Sequence, residues 1–333
     1  MKSRRLQSAR FVSVWFCALA VAGGAILSFG VGAQYASGRR RELQGREQSM
    51  ETPGWALRDR ALPKTLVSYV FSDTDPEYRL NLLHFLNHIT YNRDPADYVI
   101  IMNGGKPDDF ELPEVPPNVR FLAHPNECFD MGTHGWVLSG NATELGLDIK
   151  SYKYILFLNS SVRGPYLPTY LLQGPLAQPW HALLTANINN DIKLVGPTIN
   201  CQSFRANDPD RKPHVQSYCM ATDQVGLGIM LEKGVLSCKQ GWVDAIVTGE
   251  LAASKVLLNE GYNIASLLTK YRGLDWRDRR NWDCNNLMNP IGYDEINAQP
   301  LEVMFVKAKS SMTEWVRMRL AVELDQRFSV AGR

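Results

Sequence analysis

Tyr154-Ile-Leu-Phe-Leu158 is apolar at every position and stops abruptly in Asn159-Ser-Ser161, followed by Arg163-Gly-Pro165. Such a run, aromatic and branched and bounded by turn residues, is a strand covered on both faces. Strands with no polar face belong to parallel sheets flanked by helices. In open sheets of that kind a ligand lies just beyond the carboxyl ends of the strands. Asn159, Ser160 and Ser161 are small enough to let a ligand approach, and they carry donors and acceptors that can hold it. The competing reading is a core strand entering an ordinary turn, since a fold alone does not specify a function.

The pattern recurs along the chain. Leu66–Phe71, Tyr98–Met102 (ended by Asn103-Gly-Gly105), Val119–Leu122 and Ile192–Val195 (ended by Gly196-Pro197) are strand patterns, and Val215–Met220 is a candidate sixth. Tyr78–Tyr91 places Leu82, Leu83, Leu86 and Ile89 on one helical face, and Val243 to Gly261 is the longest later helix. Strands alternating with helices predict an α/β fold with a mainly parallel, mixed sheet. A chain of 333 residues with 45% hydrophobic and 21% charged residues accommodates one such domain plus appendages. The net charge is +2 and no basic stripe interleaves with aromatics, which sets nucleic-acid binding aside.

The N-terminus is the appendage. Residues 11–33 carry no charge and are long enough to span a bilayer as a helix. Residues 1–10 then form a short cytosolic segment, 34–63 a charged, polar stem and 64–333 a lumenal domain. The expected arrangement is a single-pass type II membrane protein held by a signal anchor, with its domain in the lumen of the Golgi or endoplasmic reticulum. The alternative is a cleaved signal peptide, because Val31-Gly-Ala33 has small residues at suitable spacing. Either route enters the secretory pathway, where disulfides are permitted. Beyond Cys17, the five cysteines are odd in number, so at least one is unpaired within the chain. No cysteine or histidine pair has zinc spacing. Asn141-Ala-Thr143 is a glycosylation acceptor pattern, whereas Asn159-Ser-Ser161 sits at a strand end and is expected to be inaccessible.

Sugar transfer from a nucleotide donor needs groups that hold a diphosphate and stabilise its charge. An inverting enzyme also needs a carboxylate to take the acceptor's proton. Candidate parts follow the strands: Ser72-Asp73-Thr74-Asp75 after the first, Asn126 to Gly132 with Asp130 after the third, and Asn159-Ser160-Ser161 after the fourth. Glu250 lies in the late helix.

These motifs resemble those of the rhamnan-synthesis-type glycosyltransferases, which have a GT-A-like nucleotide-sugar-binding sandwich. Asn126, Asp130 and Gly132 match an Asn-x-Gly-x-Asp-x-Gly segment, and Leu156 to Pro165 matches a strand running into Asn-Asp-Ser-x-x-Gly-Pro. His214-Val-Gln-Ser-Tyr218 matches His-x-Gln-Ser-Tyr, and Glu250 with Gly261-Tyr262 matches a Glu-bearing helix followed by Gly and an aromatic. The resemblance runs from about residue 66 to 270. It implies a membrane-anchored glycosyltransferase that moves a sugar from a nucleotide-sugar to a glycan or protein acceptor with inversion. Glu250 is the implied base. Ser72, Asp73, Asn126, Asp130, Asn159, Ser160 and Ser161 are the implied donor contacts, and His214, Gln216, Ser217 and Tyr218 the implied acceptor contacts. The alternative is a catalytically inactive relative that binds glycans or partners.

Two departures stand out. Ser160 replaces the family's middle Asp, in the region where GT-A enzymes place a carboxylate for manganese or magnesium. A divalent cation wants charged oxygens, so Ser160 argues against that cofactor and leaves any metal ligands unassigned. Cys128 stands where a Gly is usual. Structural roles compete at several positions: Asp73 and Asp75 as an Asx-turn or helix cap, Asp130 as a cap, and His214 as an internally satisfied histidine. Lys307 reads as a solvated lysine ahead of a phosphate partner. The Trp-rich segment Asp275–Asn286 reads as a lid over a sugar or as a surface loop.

Overall fold

The computed structural model describes residues 62–92, 94–140, 145–173, 175–201, 212–284, 291–293, 296–297 and 299–310. The expected span at 11–33, the stem as far as residue 61 and the Asn141 acceptor pattern lie outside them. The chain divides into residues 1–51 and 52–333, and every described residue belongs to the second unit. No helix among the described residues is long and apolar enough to cross a membrane.

A seven-stranded sheet forms the centre. Its strands are β1 (Thr65–Ser72), β2 (Asp97–Asn103), β3 (Val119–His124), β4 (Tyr154–Asn159), β6 (Ile192–Gly196), β9 (Cys219–Asp223) and β10 (Asn263–Ser266), in the order β10-β6-β9-β4-β1-β2-β3. In this sheet β9 alone runs antiparallel, paired with β4 and β6. The short strands β5 (Val162–Arg163), β7 (Ile199–Asn200), β8 (His214–Val215), β11 (Ile291–Tyr293), β12 (Ile296–Asn297) and β13 (Val306–Lys307) form three small antiparallel pairs. The α/β fold with a mainly parallel, mixed sheet is therefore observed.

Both faces of the sheet are covered, and the alternation within each strand says how. In β1, Leu66 and Val70 enter one core while Val67, Tyr69 and Phe71 enter the other. In β4, Ile155 and Phe157 separate from Leu156 and Leu158 in the same way. Helix α1 (Pro76–Tyr91) covers the second core with Leu82, Phe85, Leu86 and Ile89. Its start is fixed by Asp75, whose carboxylate accepts from the Glu77 amide at 3.0 Å, and by Pro76 in the first turn. Helices α2 (Phe129–Leu138), α3 (Gln224–Glu232) and α4 (Leu251–Asn259) cover the first.

The expected strand Val215–Met220 is corrected to two. Gln216-Ser-Tyr218 forms a turn between β8 and β9, and the sheet strand continues to Asp223, whose carboxylate caps α3 at the Gly226 amide at 3.0 Å. α3 and β10 were not anticipated. β10 is four residues with little apolar pattern of its own, and it is a strand because β6 pairs with it at the sheet edge.

The chain runs outward from β1 through β2 to β3, then returns to place β4 on the other side of β1. The carboxyl ends of β1 and β4 thus flank a topological switch point, where open sheets bind ligands.

Candidate functional site

A cleft of about 690 Å³ opens over these strand ends. Its floor is small and neutral: Ser72 from β1, Asn103 from β2, Asn159 from β4, then Ser160 and Ser161. The floor is wired to itself. The Asn159 amide nitrogen donates to Asp130 at 2.7 Å, and its Oδ1 accepts from the Ser161 amide at 3.1 Å and hydroxyl at 2.6 Å. The Ser160 hydroxyl accepts from the Ser72 amide at 3.3 Å, and Asn103 donates to Asn126 at 3.2 Å.

The wall beside the floor is the entry to α2. Cys128 (φ +67°) and Phe129 (φ +56°) hold left-handed backbone, costing about 1–2 kcal/mol each. Cys128 therefore adopts the conformation a glycine there would favour, and its side chain is joined by a disulfide to Cys238. Close approach completes the junction: a Cβ on Gly135 would lie 1.8 Å from the Leu236 carbonyl oxygen, and one on Gly132 would lie 2.9 Å from the Cys238 Cα. A second disulfide joins Cys201 to Cys284, and Cys219 is the buried free thiol among the described cysteines.

The facing wall comes from later sequence. Trp242–Asp244 begins a helix that widens to a π turn over Ala245–Glu250 before α4. The Thr248 hydroxyl donates to the Asp244 carbonyl at 3.0 Å and carboxylate at 2.6 Å, competing with the backbone for the carbonyl four residues back. π turns of this kind recur at functional sites. This one ends at Glu250, which lines the cleft and accepts from the Ser217 hydroxyl. Burial raises the Glu250 pKa above the usual carboxylate range, and the Asp130 charge adds to the shift. The Ser217 bond and the Lys307 and Lys309 ammoniums oppose it. A carboxylate so shifted is a stronger base than an ordinary one.

Lys307 and Lys309 reach the cleft on the last described segment. Val306 and Lys307 pair with Arg163 and Val162 as β13 against β5, and the Ala308 amide donates to the Ser161 carbonyl at 2.9 Å. Asn81 donates to the Ser160 and Ala308 carbonyls at 2.8 and 3.0 Å, and Ser310 bonds the Asp75 carboxylate. Lys307 is half-buried, 5.5 Å from the Tyr218 ring centroid. Burial lowers its pKa, and the Lys309 charge adds to this. The solvated-lysine reading is thereby corrected. At the mouth, Trp242 and Phe129 line the cleft with 63% and 38% of their surfaces exposed.

Of the expected donor contacts, Ser72, Asn126, Asp130, Asn159, Ser160 and Ser161 share this cleft, and so do Ser217 and Glu250. Asp73 does not line it. Its carboxylate forms a fork with Arg79 at 2.6 and 2.8 Å, and that hydrogen bond holds its pKa below the usual value. His214, Gln216 and Tyr218 do not line it either. Burial pushes the His214 pKa down to about 4. The Gln216 side-chain oxygen accepts from Thr198 at 2.7 Å, and the Tyr218 hydroxyl lies 2.8 Å from the same Thr198 oxygen. This buried polar cluster flanks Ser217, the one member of the motif that reaches the cleft. The described residues of the expected lid, 275–284, also stay outside the lining. Trp276 is buried, with its amide bonded to Asn263 at 2.9 Å beside β10.

The donor set does not suit a divalent cation. Asp130 and Glu250 are its carboxylates apart from Glu127, and they face Lys307 and Lys309. Asp130 accepts from the Met131 amide and Asn159, and Ser160 offers a neutral hydroxyl already bonded to Ser72. Among the described residues no three His, Cys, Asp or Glu side chains gather as a metal-binding group. Sequence reasoning missed Lys309, Trp242 and Asn103. Lys309 had a signal, since it lies two residues beyond Lys307 in an extended segment and so shares its face.

No family model matches the chain, the rhamnan-synthesis-type group included, and no curated protein matches it. Among solved structures, the chain is similar to a glycosyltransferase involved in the glycosylation of the major capsid of PBCV-1. The similarity covers 61% of this chain and 80% of that one, at 11% identity and a TM-score of 0.34.

Proposed function

We propose that the cleft is the active site of a glycosyltransferase that takes its sugar from a nucleotide-sugar and inverts the sugar carbon. The observation that carries this reading is Glu250. It is a carboxylate with a raised pKa, facing a floor of small hydrogen-bonding residues at the switch point of a mainly parallel sheet. The donor lies over Ser72, Asn159, Ser160 and Ser161. The acceptor enters across Trp242 and Phe129, whose exposed rings suit the apolar face of a sugar. The acceptor oxygen attacks the anomeric carbon and forms the new bond. The bond to the diphosphate oxygen breaks and its electron pair leaves with the diphosphate. The acceptor proton passes to a Glu250 oxygen. Ser217 positions that carboxylate. The disulfides suit an oxidising compartment, which supports placing the domain in the lumen of the secretory pathway behind the 11–33 anchor.

The test is turnover of a panel of nucleotide-sugars, with and without candidate glycan acceptors, by the wild type and Glu250→Gln. The wild type is expected to consume a donor and the variant to bind it without transfer. Full activity in the variant removes Glu250 from the mechanism. Nucleotide binding with no turnover by the wild type points instead to a glycan- or partner-binding protein.

A further inference from the structure

A diphosphate leaving group carries charge into the cleft and gains more as the glycosidic bond breaks, so something positive must face it. The floor offers no cation: Ser72, Asn159, Ser160 and Ser161 are neutral. Where a metal-binding carboxylate would begin, Ser160 is instead bonded to the Ser72 amide. Lys239 lines the cleft with its ammonium held by the Gly234 carbonyl at 2.7 Å and by Ser237 at 2.9 Å. Lys307 and Lys309 line it too, on the segment bonded along the floor. They lie on one face of an extended strap whose intervening residue, Ala308, is buried. The strap is fixed at three places: Ala308 to Ser161, Asn81 to both Ser160 and Ala308, and Ser310 to Asp75. The ties run to the floor at Ser161, to Asn81 of α1 and to the loop at Asp75, which sets both lysines against the strand ends.

Resting on the reading above, we propose that Lys307 and Lys309 neutralise the donor diphosphate, so that donor binding in this protein requires no divalent cation. The two ammoniums take the place that a metal ion and its carboxylates would occupy. Their charges act against those of Asp130 and Glu250, and a bound diphosphate takes both ammoniums on its phosphate oxygens. Burial and the Lys309 charge lower the Lys307 pKa, and a diphosphate bound beside it offsets both.

The experiment is calorimetric titration of the 333-residue chain with uridine, guanosine and thymidine diphosphates, in EDTA and separately in manganese. Lys307→Met, Lys309→Met and the charge-keeping Lys307→Arg are run alongside, and melting curves confirm that each variant is folded. One diphosphate is expected to bind the wild type with the same affinity, within about twofold, in EDTA and in manganese. Each Met variant should weaken binding about tenfold or more, the ordinary worth of one charge-assisted contact. Lys307→Arg should retain most of the affinity. Binding that appears only with manganese, or that ignores both Met substitutions, overturns the proposal while leaving the glycosyltransferase reading intact. If no diphosphate binds the wild type under either condition, that reading falls and the proposal with it.

Discussion

The floor of the cleft and the wall that faces it are built from different chemistries. The floor comes from the first half of the domain, at the ends of β1, β2 and β4, and consists of serines and asparagines. They are locked by hydrogen bonds to one another, to the backbone and to Asp130. The facing wall comes from the second half and carries Glu250, Lys307 and Lys309, whose charges interact across a partly desolvated space. One half sets the shape of the ligand and the other its charge. The two are clamped where α2 meets residues 236–238 through Cys128–Cys238 and the glycine contacts.

If that division holds, the largest effect comes from the wall. Glu250→Gln should lower kcat by about a hundredfold to ten-thousandfold, the usual worth of a general base, with little change in donor affinity. The acid limb of the wild-type rate profile should lie above the ordinary carboxylate pKa, because burial raises that of Glu250. A normal acid limb would show that the wall is more open than described.

The clamp comes next. Gly135→Ala forces a Cβ into the Leu236 carbonyl and should cost about 1–3 kcal/mol or more of unfolding free energy, read by denaturant titration. Loss of activity without loss of stability would mean that the two halves shift rather than clash.

Acid should then separate the halves. His84, His88 and His134 are in α1 and α2, and burial pushes their pKa values down to about 3, 4 and 4. Below the unfolded histidine value of 6.5 the unfolded chain takes up protons that the folded one refuses. Stability is therefore fully present above pH 6.5 and falls between there and about pH 4 for His88 and His134, and about pH 3 for His84, with a slope of about 1.4 kcal/mol per pH unit for each titrating histidine. Hydrogen exchange at decreasing pH should open α1, which holds two of these histidines, ahead of β8, which holds His214 alone. Uniform opening would deny that the floor side is the acid-sensitive one.

The smallest effect belongs to the floor. Ser160→Ala removes one neutral bond, worth about 1 kcal/mol, and should change diphosphate affinity less than tenfold. A larger loss would give Ser160 a direct part in binding.

How much of this could be read from the chain follows the same division. The core strands were legible because β1, β2 and β4 are apolar on both faces. The floor was legible because small polar residues end those strands. Asp75 read correctly as a cap. The wall was harder to read. Glu250 was found only through its motif, and the π turn that presents it depends on a Thr248 bond that no periodicity shows. Gln216 and Tyr218 misled because Thr198, which bonds both, is brought beside them only by the pairing of β7 with β8. Asp73 misled because Arg79, six residues on, captures it. Lys307 appeared solvated because the strap's partners, Asn81 and Ser161, lie well over a hundred residues earlier.

The strap also imposes an order of events. Every residue of the floor has been synthesised by Ser161, yet the ammonium pair arrives some 150 residues later, on a strap held by Ser161, Asn81 and Asp75. A chain shortened just before Lys307, by premature termination or by a protease, would keep every residue of the sheet and the floor but have a cleft biased toward negative charge by Asp130 and Glu250. Such a truncated chain would carry the outline of the site and repel the anion it is shaped to receive.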